Sequence, residues 1–328
     1  MKQITLLLSG NEAIALGARE AGVGVATGYP GTPSTEILET IVKHNVIAGN
    51  NGTVTAENNV SQRKGEDNET RHRIYAEWCP NEKVALEVAI GASLAGRRAL
   101  VTMKHVGLNV ASDPLFTLSY TGVGAGLLIV TADDPGMHSS QNEQDNRFYA
   151  RFAGVPMLEP SDSQEAKDFV RLGLELSERF DTPVILRSTT RISHSKGLVR
   201  TNGDSQERSW LSDSPVPTGP FRRNARKFVM IPAYARPRHE VLEARLLEIG
   251  EFGETFEGNK IEWGCLPPGE TAEVGIVTSG ISYQYVKELF PEVPCLKLGL
   301  IYPLPDGLIR AFASRVKTIY VVEELEPF

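Results

Sequence analysis

The alternation of two kinds of segment along the chain constrains its fold most. Across roughly the first two hundred residues, short runs rich in apolar and β-branched side chains alternate with stretches of helical apolar spacing. Parallel strands need crossover connections, usually helices, whereas antiparallel strands can be joined by tight turns. The pattern therefore predicts an α/β fold on a parallel sheet. Strands are predicted at 5–9, 23–28, 74–78, 99–103, 127–131 and 183–187, and helices at 11–21, 35–44, 81–95 and 163–179.

Two segments interrupt this pattern. Residues 48–73 are almost purely polar and are predicted to form a surface loop, and 201–220 are rich in Ser, Asp, Pro and Gly, which is typical of a linker. After a predicted helix at 238–249, a second α/β unit has predicted strands at 274–280, 295–298 and 318–322. Three parallel strands make a thin domain, so we predict that it is incomplete. The predicted organisation is a first domain at 1–200, a linker and connecting helix at 201–270, and a smaller domain at 271–328.

Bulk properties exclude several classes of function. The net charge of −7 argues against nucleic acid or an anionic membrane as a partner, and no apolar run approaches the roughly 20 residues that span a bilayer. The first ten residues have no cleavage-site character, so a strand is a better interpretation than a signal peptide. Cys79, Cys265 and Cys295 are too scattered for a disulfide framework or an iron–sulfur site within this chain. We expect a reducing, cytoplasmic setting.

The predicted helix at 81–95 carries the most informative acid. Ala85, Ala89 and Ala92 recur at helical spacing, and Glu82 stands one turn before Ala85 on the same side. Gly91 is expected to let another backbone approach closely. The Glu82 carboxyl would then point into a packed interface. The commoner explanation is an acid in the first turn, favoured by the helix dipole, and spacing alone leaves both open.

Glu82 followed by Ala at +3, Ala at +7 and Gly at +9 resembles the cofactor-activating glutamate helix of thiamine-diphosphate enzymes. In that family the glutamate hydrogen-bonds the cofactor's pyrimidine ring and favours the tautomer in which the cofactor acts as its own base. The resemblance implies that Glu82 is the catalytic residue and contacts the cofactor. It also implies a parallel-sheet domain of the pyrimidine-binding type, followed by a smaller α/β domain of the transketolase C-terminal type.

A second motif strengthens this resemblance independently: Tyr29-Pro30-Gly31-Thr32-Pro33-Ser34. It resembles the Tyr-Pro-x-Thr-Pro-Ser turn of the 2-oxoacid:ferredoxin oxidoreductases, and it follows a strand, where open parallel sheets place ligands. The resemblance implies that Pro30 contacts the cofactor and that Thr32 offers its hydroxyl to a substrate oxygen. A plain strand-to-helix turn with Ser34 or Thr35 as the N-cap is compatible with this role.

Two further stretches, 102–109 and 131–145, resemble the α subunit of the indolepyruvate-type ferredoxin oxidoreductases. The first implies cofactor contacts at Gly107 and Asn109. Relatives that use pyruvate place an arginine for the substrate carboxylate where this chain has Asp133. The resemblance therefore implies that Asp133 is a substrate-binding residue and disfavours pyruvate as the substrate. Lys104 or His105 is then the substitute cation, with both left open, although a structural hydrogen-bonding role is the commoner fate of a lone histidine. The 136–145 loop is expected to be flexible enough to admit a large side chain.

The resemblance implies half of an active site. We expect thiamine diphosphate shared with a partner chain, and Mg²⁺ and iron–sulfur clusters on that partner, since neither a Gly-Asp-x-Gly motif nor a cysteine cluster occurs here. The implied reaction is oxidative decarboxylation of an aryl 2-oxoacid to its acyl-coenzyme A ester, with electrons passing to ferredoxin, in an oligomer. The alternative is a non-catalytic assembly or regulatory subunit. A dinucleotide-binding Rossmann fold is weaker, because Gly22-Val23-Gly24 opens its strand and has Thr27 where the third glycine belongs.

Overall fold

The computed structural model describes residues 4–49, 73–201 and 221–328. The predicted polar loop and linker lie almost wholly outside these residues. The described strands are β1 (Thr5–Ser9), β2 (Val25–Gly28), β3 (Tyr75–Trp78), β4 (Ala99–Lys104), β5 (Leu127–Asp133), β6 (Met157–Leu158), β7 (Val184–Thr189), β8 (Lys196–Arg200), β9 (Lys260–Glu262), β10 (Ala272–Ser279), β11 (Cys295–Leu298), β12 (Leu300–Tyr302) and β13 (Val316–Val322).

The described helices are α1 (Gly10–Glu20), α2 (Thr35–Gly49), α3 (Glu82–Leu94), α4 (His105–Val110), α5 (Ser112–Thr121), α6 (Arg147–Ala153), α7 (Ser163–Phe180), α8 (Thr190–His194), α9 (Ala225–Phe228), α10 (Pro232–Thr255), α11 (Gly280–Leu289) and α12 (Asp306–Ala313). Helices α1, α3 and α7 lie within one residue of the predicted bounds and α2 ends five residues later than predicted, whereas α4, α5, α6 and α8 were not predicted. The helix predicted at 238–249 is longer at both ends. Within the described segments, no helix is both long and apolar enough to cross a membrane.

A seven-stranded sheet forms the centre of the molecule, in the order β12-β6-β7-β5-β4-β2-β3. Its strands β2 to β7 run parallel, which confirms the predicted α/β fold. Strand β5 shows why this sheet is buried on both faces. Leu128 and Val130 pack with helices α1, α2 and α7, whereas Leu127 and Ile129 pack on the opposite face with α3 and α5. Alternate side chains of one strand thus contribute to two separate cores.

The alternation of strands and helices predicts a parallel sheet, but the first and last strands of the first two hundred residues do not join it. Strand β1 leaves the parallel sheet and pairs antiparallel with β8 in a separate two-stranded ribbon. The local sequence of Thr5–Ser9 fixes a strand, but it does not choose the partner. Helix α1, which follows β1, packs mainly along α7, so the ribbon lies at one side of the domain.

The second unit contains a four-stranded sheet in the order β13-β10-β11-β9. The three predicted strands β10, β11 and β13 are parallel as expected, and β9 adds an antiparallel strand from the segment predicted to be a connection. Strand β12, one residue after β11, crosses to the large sheet and pairs with β6. The two units therefore share a continuous piece of chain, and the predicted domain boundaries stay predictions.

Strand β13 forms an edge of the smaller sheet, paired with β10 alone among the described strands. Ile319, Tyr320 and Val321 are exposed on this edge. Proteins usually protect an edge strand, because its free backbone groups and apolar side chains recruit another chain. Within the described residues, β13 is therefore an edge strand with exposed apolar side chains.

Candidate active site

The predicted site residues lie on one edge of the large sheet. Strands β2, β4, β5 and β7 are neighbours and parallel, and they end at Gly28, Lys104, Asp133 and Thr189. The segments 29–34, 105–109, 134–146 and 190–195 follow these ends. Ligands of open parallel sheets bind at this carboxyl edge.

Glu82 begins helix α3, and the side chain of Asn81 caps that helix by accepting a hydrogen bond of 3.0 Å from the Val84 amide. The Glu82 side chain is buried, with 8% of its surface exposed. Ala85 and Ala89 are fully buried on the same face, and the Ala85 carbonyl accepts a 2.7 Å hydrogen bond from Thr27 of β2. Packing of the small-residue face against the sheet thus holds Glu82 at the carboxyl edge.

Gly107 of helix α4 lies directly against the Glu82 carboxyl group. A Cβ atom at position 107 would be 2.6 Å from both Cγ and Oε1 of Glu82. Only glycine leaves room for this approach. The contact therefore explains physically why glycine occupies position 107. Across the described residues, no hydrogen bond or ion pair reaches the Glu82 carboxylate. A buried carboxylate in that condition fits a ligand that supplies a polar nitrogen.

The expectation for Gly91 is wrong. A Cβ atom at Gly91 would meet nothing within 4 Å, so no backbone of the described chain approaches there. The reason is angular: Gly91 is nine residues after Glu82, which is about half a turn away around the helix at 3.6 residues per turn. Gly91 therefore lies on the exposed face of α3.

The turn after β2 is held by its own side chains. The Gly31 amide donates to Thr35 Oγ1 at 2.9 Å, and Ser34 Oγ donates to the Gly31 carbonyl at 2.9 Å. Asn11 Nδ2 donates to the Pro33 carbonyl at 2.7 Å. Pro30 and Thr32 remain exposed, so the Thr32 hydroxyl is accessible to a ligand. A stiff turn with one accessible hydroxyl is suited to positioning a substrate oxygen.

Lys104 ends β4 and His105 begins α4, and their side chains have different surroundings. Lys104 packs beside Gly31, and its Nζ donates to the Ser139 carbonyl at 2.8 Å, which leaves further N–H donors on the ammonium group. His105 is fully buried, with Nε2 3.2 Å from the Asn142 carbonyl and Nδ1 without a partner in the described structure. Both side chains hold the 134–146 loop, and Lys104 retains donors for an anion.

Asp133 has a cation of its own inside the protein. Its carboxylate and the Arg187 guanidinium are both fully buried, and Asp133 Oδ2 accepts from Arg187 Nε at 2.7 Å and from the Asn146 amide at 3.1 Å. Burial raises the pKa of Asp133, against the opposing charge of Arg187. Arg187 also pairs with Glu159. Asp133 Oδ1 has no partner among the described residues, but the side chain is fully buried, so a direct contact with substrate, as predicted from the sequence, requires the residues around it to move.

Asp134, the next residue, was missed by the sequence analysis. It accepts hydrogen bonds from Ser140 Oγ at 2.5 Å, from the Ser139 amide at 2.8 Å and from Thr190 Oγ1 at 2.7 Å. Burial acts to raise the pKa of Asp134, but these hydrogen bonds outweigh it and hold the pKa well below its usual value. The loop expected to be flexible is therefore tied to the sheet at its start. The sequence signal that could have identified Asp134 is the pair of consecutive acids, Asp133 and Asp134, at the end of an apolar strand.

The remaining predicted contact, Asn109, is exposed at the far end of α4. Its Oδ1 accepts a 2.5 Å hydrogen bond from the Tyr149 hydroxyl. The structure thus brings together two pairs of predicted residues, Glu82 with Gly107 and Thr32 with Lys104, on one edge. Ser139 joins the second pair, since its Oγ donates to the Thr32 carbonyl at 3.3 Å. Asp133 and His105 lie behind these pairs in the protein interior.

Known proteins resemble this chain over most of its length. A family model described as the thiamine-diphosphate-binding part of pyruvate flavodoxin/ferredoxin oxidoreductase matches residues 16–245. The indolepyruvate oxidoreductase subunit IorA of Archaeoglobus fulgidus is 43% identical over 328 residues, which is 98% of this chain and 47% of that protein. The IorA subunit of Pyrococcus abyssi is 44% identical over 327 residues, 98% of this chain and 46% of its own length. The chain therefore spans about half the length of these curated relatives.

Among solved structures, a 2-oxoglutarate:ferredoxin oxidoreductase from Magnetococcus marinus superposes with a TM-score of 0.73. That structure contains 2-oxoglutarate, coenzyme A and succinyl-CoA. It is 18% identical in sequence, and the superposition covers 98% of this chain and 58% of that one. At this identity the likeness shows the fold alone, and it confirms the predicted α/β fold class.

Proposed function

The chain belongs to the thiamine-diphosphate-binding family of pyruvate flavodoxin/ferredoxin oxidoreductases, and on that premise we propose that it supplies the pyrimidine side of an indolepyruvate-type active site. The reaction proposed is oxidative decarboxylation of an aryl 2-oxoacid to the acyl-coenzyme A ester, with ferredoxin as the electron acceptor. The chain acts in an oligomer with a partner that carries the diphosphate site, Mg²⁺ and the iron–sulfur clusters.

One observation carries the proposal: the buried Glu82 carboxyl group packed against Gly107 at the carboxyl edge of the parallel sheet. An acid in a helix's first turn that serves only the helix dipole points to solvent and needs no glycine opposite it. Here position 107 is glycine, and the absence of a side chain there leaves room for Glu82 in the interior. Glu82 would hold the pyrimidine ring of the cofactor through a hydrogen bond to a ring nitrogen, with Pro30, Gly107 and Asn109 as the proposed neighbours.

Thiamine diphosphate, when bound, would supply the nucleophilic carbon centre that the reaction of a 2-oxoacid requires. The role of this chain's residues is to hold substrate and protons in place. The Lys104 ammonium group attracts the substrate carboxylate, and the exposed Thr32 hydroxyl donates to a substrate oxygen. His105 fixes the loop that lies over both through its contact with the Asn142 carbonyl. Glu82, buried where α3 meets α4, is placed to hydrogen-bond a pyrimidine nitrogen.

The names of the relatives support the need for a partner, since each is a subunit of an indolepyruvate oxidoreductase. No observation favours the alternative of a non-catalytic subunit, which would give no reason for the Glu82–Gly107 arrangement.

The decisive experiment compares Glu82→Gln with Glu87→Gln in a complex reconstituted with the partner subunits. Glu87 lies on the exposed face of the same helix, so its replacement controls for the loss of one charge. We expect Glu82→Gln to fold normally and to lose about a hundredfold in kcat, because an amide cannot exchange the proton. Glu87→Gln should keep wild-type kcat. Activity of Glu82→Gln within a factor of a few of the control would remove Glu82 from the mechanism.

A further inference from the structure

Helix α4, which carries Gly107, is too short to hold its own position. It spans six residues, His105–Val110, and its N-cap residue, Lys104, makes no side-chain cap hydrogen bond within the described chain. Isolated helices of this length are unstable in water, so tertiary contacts decide where α4 lies. The close approach of Gly107 to the Glu82 carboxyl group therefore depends on the contacts that fix α4.

Both ends of α4 accept hydrogen bonds from the start of α6. At the beginning of α4, Asn146 Nδ2 donates to the His105 carbonyl at 3.3 Å. Toward the end of α4, the Tyr149 hydroxyl donates to Asn109 Oδ1 at 2.5 Å. Gly107 lies between these two attachment points along the helix. The start of α6 thus holds, from both sides, the segment of α4 that approaches the buried carboxyl group.

The side chain of Asn146 stabilises α4 instead of its own helix. Asparagine is a preferred N-cap residue and Asn146 is the N-cap of α6, yet its side chain makes no cap hydrogen bond there in the described structure. The residue is fully buried, and its amide nitrogen donates to Thr131 Oγ1 at 2.5 Å as well as to the His105 carbonyl. Both N–H groups of the amide are therefore engaged outside α6.

The backbone of Asn146 is anchored in the interior of the protein. Its amide donates to Asp133 Oδ2 at 3.1 Å, and Asp133 is paired with Arg187. Arg187 pairs in turn with Glu159, whose carboxylate accepts a 2.8 Å hydrogen bond from Ser279 Oγ in the second unit. Buried ion pairs are costly to break, because each leaves an uncompensated charge. Asn146 is therefore a fixed point from which α4 is held, and a residue of the second unit belongs to the network that fixes it.

We propose that Asn146 and Tyr149 are positioning residues of the active site, which fix α4 so that Gly107 stays against the Glu82 carboxyl group. The inference rests on the proposed function for its catalytic consequence, since Glu82 is there the group that bonds the cofactor. Neither side chain hydrogen-bonds Glu82 in the described part of the chain, so both act through α4. A displacement of about 1 Å at a reacting group can lower a rate by about a hundredfold. Loss of either bond to α4 should therefore lower turnover without altering the proposed substrate contacts, which lie outside α4.

The first test is a double-mutant cycle on the purified chain, measured by urea denaturation without any cofactor. Gly107→Ala forces α4 and the Glu82 side chain apart, which destabilises the protein as long as α4 is held in place. In an Asn146→Ala background the first attachment of α4 is lost, so the helix is free to move away from the added methyl group. We expect Gly107→Ala to lower the urea midpoint about half as much in that background as in the wild type, or less.

Asn259→Ala is the matched control for this cycle. Asn259 is also a buried amide, and it bonds the Gly253 carbonyl and the Leu300 amide beside the edge strand β12. In its background the effect of Gly107→Ala should equal that in the wild type. An equal effect in the Asn146→Ala background as well would overturn the proposal, because a residue that only stabilises the fold adds its cost independently. If Asn146→Ala is too unstable to purify, Asn146→Ser, which leaves a smaller cavity, takes its place in the same cycle.

The second test uses Tyr149→Phe, which removes one hydroxyl and leaves the ring in place. In the reconstituted complex we expect kcat to fall by about fivefold or more, with KM for the 2-oxoacid within about twofold of wild type. Tyr234→Phe is the control: Tyr234 lies one helical turn before Arg238, which bonds Asp181 ahead of β7, at the opposite edge of the sheet. Wild-type kcat in Tyr149→Phe, or a higher KM with unchanged kcat, would overturn the positioning role.

The two tests also separate this inference from the proposed function. A smaller effect of Gly107→Ala in the Asn146→Ala background, together with wild-type activity of Glu82→Gln, would support the positioning of α4 and overturn the proposed role of Glu82. An equal effect of Gly107→Ala in both backgrounds, together with loss of activity in Glu82→Gln, would overturn the inference and leave the proposed function intact.

Discussion

Replacement of Gly107 by alanine tests the central contact of the candidate site. The added Cβ would lie 2.6 Å from Cγ and Oε1 of Glu82 and 2.9 Å from its Cδ. Ordinary carbon contacts are about 3.5–4.0 Å, so the Glu82 side chain or α4 must move by roughly 1 Å. Overpacking of this kind costs about 1–3 kcal/mol. We therefore expect a lower midpoint of urea denaturation, measured by circular dichroism, and lower kcat in the reconstituted complex.

The sign of the effect should reverse when Glu82 is removed. In a Glu82→Ala background all three contacted atoms are absent, and Gly→Ala within a helix is then favourable by about 0.5–1 kcal/mol. Gly91→Ala supplies the control in the wild-type background, because nothing lies within 4 Å of the added Cβ. We expect Gly91→Ala to be neutral or slightly stabilising. An equal cost of Gly107→Ala with and without the Glu82 side chain would refute the close-approach argument.

Three further outcomes are expected. Asp134→Asn should cost about 1–3 kcal/mol of unfolding free energy at neutral pH. The folded-state pKa of Asp134 is depressed, so its contribution to the unfolding free energy is complete above its ordinary pKa of about 3.9 and declines as the pH falls below that value. The difference in unfolding free energy between Asp134→Asn and wild type should therefore narrow in acid. A difference that does not depend on pH would contradict this. Arg187→Leu, which leaves Asp133 and Glu159 buried without their cation, should cost about 3–5 kcal/mol in thermal or urea denaturation, and a neutral effect would contradict the ion-pair argument. In the complex, kcat/KM should be higher for indolepyruvate and phenylpyruvate than for pyruvate with a viologen acceptor, because an aryl ring buries apolar surface at about 25 cal/mol per Å²; preference for pyruvate would contradict the indolepyruvate-type assignment.

The sequence alone determined the local elements of this protein. Helix α3 is predictable because the Asn81 cap and the Ala85 and Ala89 spacing are properties of one short segment. Strand β5 is equally predictable, since a continuous apolar and partly β-branched run indicates a strand that is buried on both faces. The turn at 29–34 was also predicted to follow the second strand, and it does so, whereas the roles of Glu82 and Thr32 stay predictions. These features depend on residues within about a dozen positions along the chain, so they can be predicted without knowledge of the tertiary structure.

Only the tertiary structure decided which segments meet. Strand β1 pairs with β8, far along the chain, and β12 pairs with β6 rather than with its neighbour β11. Gly107 needs to be glycine because Glu82, on another helix, approaches it, and Asp133 finds Arg187 on an adjacent strand. Backbone hydrogen bonding and apolar burial are similar for many pairings. The choice among them is made by the packing of the whole core, and that information is distributed over residues that no local pattern connects.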